Sequence, residues 1–235
     1  MKLTLNNKQK QFLFDNYYVD AKVLDSLVYK GWENYWINNY EFELDTNLNR
    51  WNMRTLTLVD KDNMCRDIEF DLNFLPDGTP VLAHDEPKGN EITLDKAFKK
   101  VSEFEDLKVN VDAKSVKNLE VVYPLAKKYG IENRIFYTGI ELKDVETVKK
   151  DSPEVPYYLN VDVENPKKQT PEYLKNLVNE IKESGAIGIN FNKGNATKEL
   201  VDIFHENDLL VSIWTVNNEK DMYEILLLSP DNITT

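Results

Sequence analysis

The stretch Asp67-Ile68-Glu69-Phe70-Asp71-Leu72-Asn73-Phe74-Leu75-Pro76-Asp77-Gly78-Thr79-Pro80-Val81-Leu82-Ala83-His84-Asp85 decides how this chain is read. Two extended runs flank a turn at Pro76-Asp77-Gly78, where proline presets the first turn angle and glycine accepts backbone angles that other residues resist. Glu69 and Asp71 stand two apart on the first run. Side chains on a strand alternate between faces, so both carboxylates leave on the same side. His84, one of two histidines in the chain, closes the second run. Two co-facial carboxylates near a histidine suit a hard metal ion beside an acid/base group. The same pattern also suits a hairpin with a charged, solvated face, and the rest of the chain must decide between the two.

Outward from this stretch, short extended runs alternate with helical ones. Extended runs centre near residues 42, 70, 110, 136, 159, 189, 213 and 233, and the run over 79–83 is an excursion after the second. The helical segments carry clear signals. Thr93 caps a helix with Leu94, Ala97, Phe98 and Val101 on one face. Ser115 is expected to cap the next, with Leu119, Val122, Tyr123 and Ala126 as its stripe and Gly130 at its end. Thr170-Pro171 pairs a capping hydroxyl with proline at the first helical position, and Gly185 stops that helix. Strands alternating with helices predict a parallel sheet, and eight of them predict an α/β protein of the TIM (β/α)8 barrel type. The runner-up is an open doubly wound sheet, but no glycine-rich phosphate or dinucleotide motif supports it. The chain ends on its eighth run, so the expected barrel lacks the last helix. Residues 1–38, crowded with Tyr17, Tyr18, Tyr29, Trp32, Tyr35 and Trp36, are expected to form a helical extension packed on the open side of a barrel formed by residues 39–235.

Bulk properties narrow the class. The chain has 235 residues, enough for a substantial core, and its net charge is −12. That charge opposes nucleic-acid binding, which needs a basic surface, and opposes an anionic membrane as the main partner. A single cysteine, Cys65, excludes an internal disulfide framework. The N-terminus turns polar at once and no stretch is long enough to span a bilayer, so a cytoplasmic protein is expected.

Barrel active sites lie at the C-terminal ends of the strands. Besides Glu69, Asp71 and His84, this reading places Asp112 and Lys114 on one face of the run near 110. It also puts Asn160 and Asp162, Asn190 and Asn192, and Trp214 and Asn217 at the ends of later runs. Three carboxylates from two adjacent strands, Glu69, Asp71 and Asp112, suit Ca²⁺ or Mg²⁺ and lack the soft ligands that zinc prefers. Lys114 beside them complements a phosphate. His205 falls at the end of a helix outside the barrel and reads as structural.

In these motifs the chain resembles the glycerophosphodiester phosphodiesterases. The family pattern has Glu-x-Asp, a turn with Asp-Gly, and Val-x-x-His-Asp; here stand Glu69-Phe70-Asp71, Asp77-Gly78 and Val81-Leu82-Ala83-His84-Asp85. Asp112-Ala113-Lys114 resembles the family's Glu-x-Lys with a shortened acid. Trp214-Thr215-Val216-Asn217 matches its Trp-Thr-Val-Asn, and the resemblance runs from about residue 40 to the end. It implies a phosphodiesterase-like barrel in which Glu69, Asp71 and Asp112 bind a divalent cation. Lys114 would help hold the phosphodiester, His84 would exchange a proton with the attacking or leaving oxygen, and Trp214 would wall the pocket. The implied partner is a small phosphodiester, either a glycerophosphodiester or a related phospholipid-derived diester.

One departure limits the resemblance. The family's His-Arg-Gly on the first strand is missing, and Phe42-Glu43-Leu44 stands in its place. Loss of one general acid/base group costs on the order of 10²–10⁴-fold in rate. Three functions therefore remain open: a phosphodiesterase with impaired activity, a non-catalytic module that binds metal and phosphodiester, and an interaction domain using the aromatic N-terminus.

Overall fold

The structure is a computed structural model that describes Asn6, Lys8, Gln9, Phe12 and residues 66–105 and 107–234. The expectations for the run near 42, its missing motif and the rest of the N-terminal extension lie outside these residues. Phe12 packs against the main core.

The quoted stretch forms β1 (Arg66–Phe74) and β2 (Pro80–Leu82), paired antiparallel with Leu72 opposite Leu82. The Gly78 amide donates to Leu75 O at 2.9 Å, and the Asp77 carboxylate accepts from the Thr79 amide at 2.9 Å. Gly78 itself has φ +87°, a region that L-residues with a Cβ rarely adopt. The bond from the Ala83 amide to Asp71 O, 2.9 Å, then brings the chain back alongside β1, so that His84 follows beside Asp71.

After the excursion come α1 (Leu94–Val101), β3 (Leu107–Ala113), α2 (Val122–Lys128), β4 (Ile135–Ile140), α3 (Val145–Asp151) and β5 (Tyr157–Asn160). These are followed by α4 (Pro171–Ser184), β6 (Gly188–Asn192), α5 (Lys198–His205), β7 (Leu210–Trp214), α6 (Glu219–Leu226) and β8 (Asn232–Ile233). Strand order is β2-β1-β3-β4-β5-β6-β7-β8, with every pair from β1·β3 onward parallel. This is the (β/α) barrel order, with the strand expected near residue 42 outside the described residues. The sheet curves far enough that Thr234, just after β8, donates its hydroxyl to Glu69 Oε2 on β1 at 2.9 Å. Residues 165 apart in sequence thus meet across the mouth.

Alternation along the strands separates two environments. Ile68, Phe70 and Leu72, Val109 and Val111, Ile189 and Phe191, and Val211 and Ile213 are buried and belong to the core with Leu94, Phe98, Leu177, Ile181, Leu200 and Phe204 of the helices. The intervening positions point into the barrel, and many are polar: Glu69, Asp71, Asn110, Thr138, Asn190, Ser212 and Asn232 are all buried. Deeper in the barrel, Phe136 and Tyr158 meet edge-on with ring centroids 5.6 Å apart.

The expected caps hold at Thr93 and Thr170, whose side chains accept from Lys96 N and Tyr173 N. Ser115 differs: its hydroxyl accepts from Lys117 N within the loop, and a 3₁₀ turn over Leu119–Val121 opens α2 instead. Asn118, at φ 59°, supplies the left-handed residue that redirects the chain there. No helix among the described residues is long and apolar enough to cross a membrane.

Candidate active site

The C-terminal ends of the strands surround a cavity of about 570 Å³ whose lining includes Glu69, Asp71, His84, Asp112, Lys114 and Trp214. The six residues to which the resemblance gives roles thus line one space, joined by Asn160 and Asn190, whereas Asp162, Asn192 and Asn217 are not part of its lining. Asp71 and Asp112 face each other across the β1–β3 register, and Glu69 lies opposite Asn110 one pleat below. One carboxylate oxygen from each of Glu69, Asp71 and Asp112 lies within 4.8 Å of the others. Like charges directly opposite on neighbouring strands repel, so this cluster requires a cation or a proton.

The electrostatics express that strain. Burial pushes the Glu69 carboxyl up from 4.5 to about 8, with the Asp112 charge adding to it and the hydrogen bond from Thr234 opposing it. Burial likewise raises Asp71, against the pull of Lys114. Lys114 Nζ reaches Asp71 Oδ1 at 3.0 Å and pairs still more closely with Asp112 Oδ2. Burial alone would lower the pKa of this ammonium, but Asp112 and Asp71 outweigh it and hold it above its ordinary value. The donor set fits a hard divalent ion: three carboxylates, all oxygen, and open space on the cavity side for water or substrate oxygens. The lysine stands where it can partly neutralise the cluster and still face an anion in the cavity.

His84 is exposed at the cavity rim, its Nδ1 3.1 Å from Asp85 Oδ1. The loop that carries it is tied back by Asn73 Nδ2, which donates to Asp85 O at 3.2 Å. His205 lies elsewhere, with its Nε2 against Asp231 Oδ2 at 2.9 Å, and the same carboxylate oxygen accepts from Val211 N near the start of β7. Asn192 turns outward to cap the following 3₁₀ turn, accepting from Gly194 N. Asn218, one residue after Asn217, caps α6, its side chain accepting from Asp221 N.

Several site residues escape a reading by motif. Asn110 Nδ2 donates to Glu69 Oε2 at 3.2 Å, and the Thr138 hydroxyl stands within hydrogen-bonding distance of both Asn110 Oδ1 and Asp112 Oδ1, at 2.8 and 3.0 Å. Asn110 carried a signal, because it sits two residues before Asp112 on the same face. Gly139, at φ +78°, carried none that could be separated from an ordinary turn. A Cβ there would meet Ala113 O at 2.5 Å and Asp112 Oδ1 at 2.7 Å, so its bareness makes room for the carboxylate.

Comparison with known proteins gives the family and the fold. The model of the glycerophosphoryl diester phosphodiesterase family matches residues 86–235, beginning just after Glu69, Asp71 and His84. A search of curated proteins finds no match. Among solved structures, a glycerophosphodiester phosphodiesterase from Agrobacterium tumefaciens is 14% identical with TM-score 0.56, over 71% of this chain and 82% of that one. One from Parabacteroides distasonis is 17% identical with TM-score 0.55, over 71% and 78%. A phosphodiesterase from Oleispira antarctica, solved with its product sn-glycerol-3-phosphate, is 14% identical with TM-score 0.53, over 70% and 78%. At these identities the likeness shows the fold, a TIM barrel.

Proposed function

Because the chain belongs to the glycerophosphoryl diester phosphodiesterase family, we propose that it is a divalent-metal-dependent phosphodiesterase acting on glycerophosphodiesters or related phospholipid-derived diesters. One observation carries the reading: three carboxylates within 4.8 Å of one another, a lysine paired to two of them, and a histidine on the same cavity. Glu69, Asp71 and Asp112 would hold Ca²⁺ or Mg²⁺. Such an ion supplies positive charge against the phosphoryl oxygens and lowers the pKa of an oxygen bound to it. Lys114 gives a second positive charge to the same phosphoryl group, which matters most as charge builds in the transition state. His84, at the rim, gives or takes the proton at the oxygen that enters or leaves. Trp214 walls the side where the organic part of the diester rests. Water is consumed, one P–O bond breaks, and the products are a phosphomonoester and an alcohol.

A second reading is favoured by the missing His-Arg-Gly: a module that keeps the metal and the diester without turning it over. Incubating the protein with glycerophosphocholine and Mg²⁺ or Ca²⁺, with product followed by phosphorus NMR, decides between them. Cation-dependent release of glycerol phosphate supports the enzyme. Ligand-dependent thermal stabilisation with an intact diester after long incubation supports the module.

A further inference from the structure

Glu69 and Asp112 stand on different strands, yet two buried neutral side chains join them. Asn110 lies opposite Glu69 in the β1–β3 register, and Thr138 lies opposite Asp112 in the β3–β4 register. Both neutral residues are nearly closed to solvent, Asn110 at 3% exposure and Thr138 at 2%. Asn110 Nδ2 donates to Glu69 Oε2 at 3.2 Å. Its other end, Oδ1, lies 2.8 Å from the Thr138 hydroxyl, which also lies 3.0 Å from Asp112 Oδ1. The path from Glu69 through Asn110 and Thr138 to Asp112 thus crosses three strands without a gap. Asp71, the third carboxylate, is served separately by Lys114.

The sense of each bond follows from the carboxylate at one end. A carboxylate that holds a cation can only accept, so Asn110 must turn its NH₂ toward Glu69. That leaves Oδ1 facing Thr138, and an amide oxygen can only accept as well. The Thr138 hydroxyl has one proton and two acceptors within reach. Given to Asp112, the proton leaves a buried amide oxygen without a donor, which is costly, whereas Asp112 already has Lys114. Given to Asn110, it locks the amide with its NH₂ toward Glu69. Without the hydroxyl, the amide is free to turn over and set its oxygen against a carboxylate oxygen. We infer that Thr138 is a positioning residue for the cation site, acting on Glu69 through Asn110 and on Asp112 directly. The inference rests on the metal-dependent reading above and adds to it a group on a third strand that orients two of the ligands.

The test titrates Mg²⁺ and Ca²⁺ by calorimetry into the wild type, Thr138→Val, Thr138→Ser, Asn110→Ala and the Asn110→Ala/Thr138→Val double variant, each checked for cooperative unfolding. Thr138→Val keeps the branched shape that suits a strand and removes only the hydroxyl. It should lower ion affinity about tenfold to a hundredfold, the usual cost of losing a group that orients a metal ligand. Thr138→Ser keeps the hydroxyl and should stay within about threefold of wild type. In the Asn110→Ala background, Thr138→Val should cost no more than about threefold further, because the relay is already cut. Unchanged affinity in Thr138→Val, or an equal loss in the Val and Ser variants, overturns the inference and leaves the metal-dependent reading standing. A double-variant loss equal to the product of the two single losses does the same. If Thr138→Val does not fold, Asn110→Ala decides alone, and affinity there within about twofold of wild type overturns the inference. A wild-type protein that binds neither ion overturns the inference together with the reading it rests on.

Discussion

Two cross-strand pairs at the barrel mouth make an instructive contrast. On β1 and β3, Asp71 stands opposite Asp112; on β5 and β6, Asn160 stands opposite Asn190. The backbone arrangement is the same parallel register in both. The amide pair is complementary, because one side chain donates to the other at 2.7 Å. The carboxylate pair is not, and Lys114 is drawn between its members. One wall is therefore held together by its own hydrogen bonds, while the other is an unbalanced cluster that accepts positive charge. That difference sets the walls apart: the charged wall is built to accept positive charge, while Asn160 and Asn190 on the other wall already bond to each other.

The largest effect expected from disturbing this division is on chemistry alone. His84→Ala should lower diester hydrolysis by roughly 10²–10⁴-fold, as loss of an acid/base group does. Ion binding, measured by calorimetry, should stay close to wild type, because His84 is at the rim and not in the carboxylate cluster. Next comes Gly139→Ala, which attacks the charged wall from beneath. The new methyl would press on Asp112 Oδ1 and Ala113 O, at a backbone angle of +78°. We expect a stability loss of about 1–3 kcal/mol by thermal or urea unfolding, and weaker ion binding as well.

A smaller effect comes from pH. Glu69 keeps its proton up to about 8 in the folded protein because of burial, and an ion must displace that proton. Ion affinity should therefore rise with pH, by up to about tenfold per unit for one proton, and level off above about 8. The stability of the metal-free protein should run the other way. A carboxyl with a raised folded pKa stabilises most when protonated, so this contribution fades as pH rises from the ordinary value of 4.5 through about 8. Unfolding in chelator across that range reads the sign directly. The smallest effect is Thr234→Val. Its hydroxyl bond lowers the Glu69 pKa, so removing it should move the midpoint of the pH–affinity curve upward with little change in fold.

What the sequence reveals of this molecule follows from what is local. Glu69 with Asp71, and Asp112 with Lys114, are each two residues apart, and the period of a strand is enough to put each pair on one face. The excursion from β1 to β2 was visible in Pro76-Asp77-Gly78, and the helix starts at Thr93 and Thr170 in a single capping side chain each. The cap at Ser115 failed because the chain inserts a 3₁₀ turn after Asn118, a choice set by how the loop returns to the barrel. The bond between Thr234 and Glu69 had no local signal at all, since only sheet curvature brings those residues together. The amide wall lies between these cases. Asn160 and Asn190 were readable as polar strand ends, but the orientation of each amide depends on the Gly139 backbone on a third strand.

The central claim, that the charged wall is a divalent-cation site, is tested most directly by titrating Mg²⁺ and Ca²⁺ into the wild-type protein and into the Glu69→Ala/Asp71→Ala double variant by calorimetry. The account predicts saturable binding near one ion per chain in the wild type and none in the variant, with the variant still unfolding cooperatively. Equal binding by both proteins, or no binding by either, would contradict it.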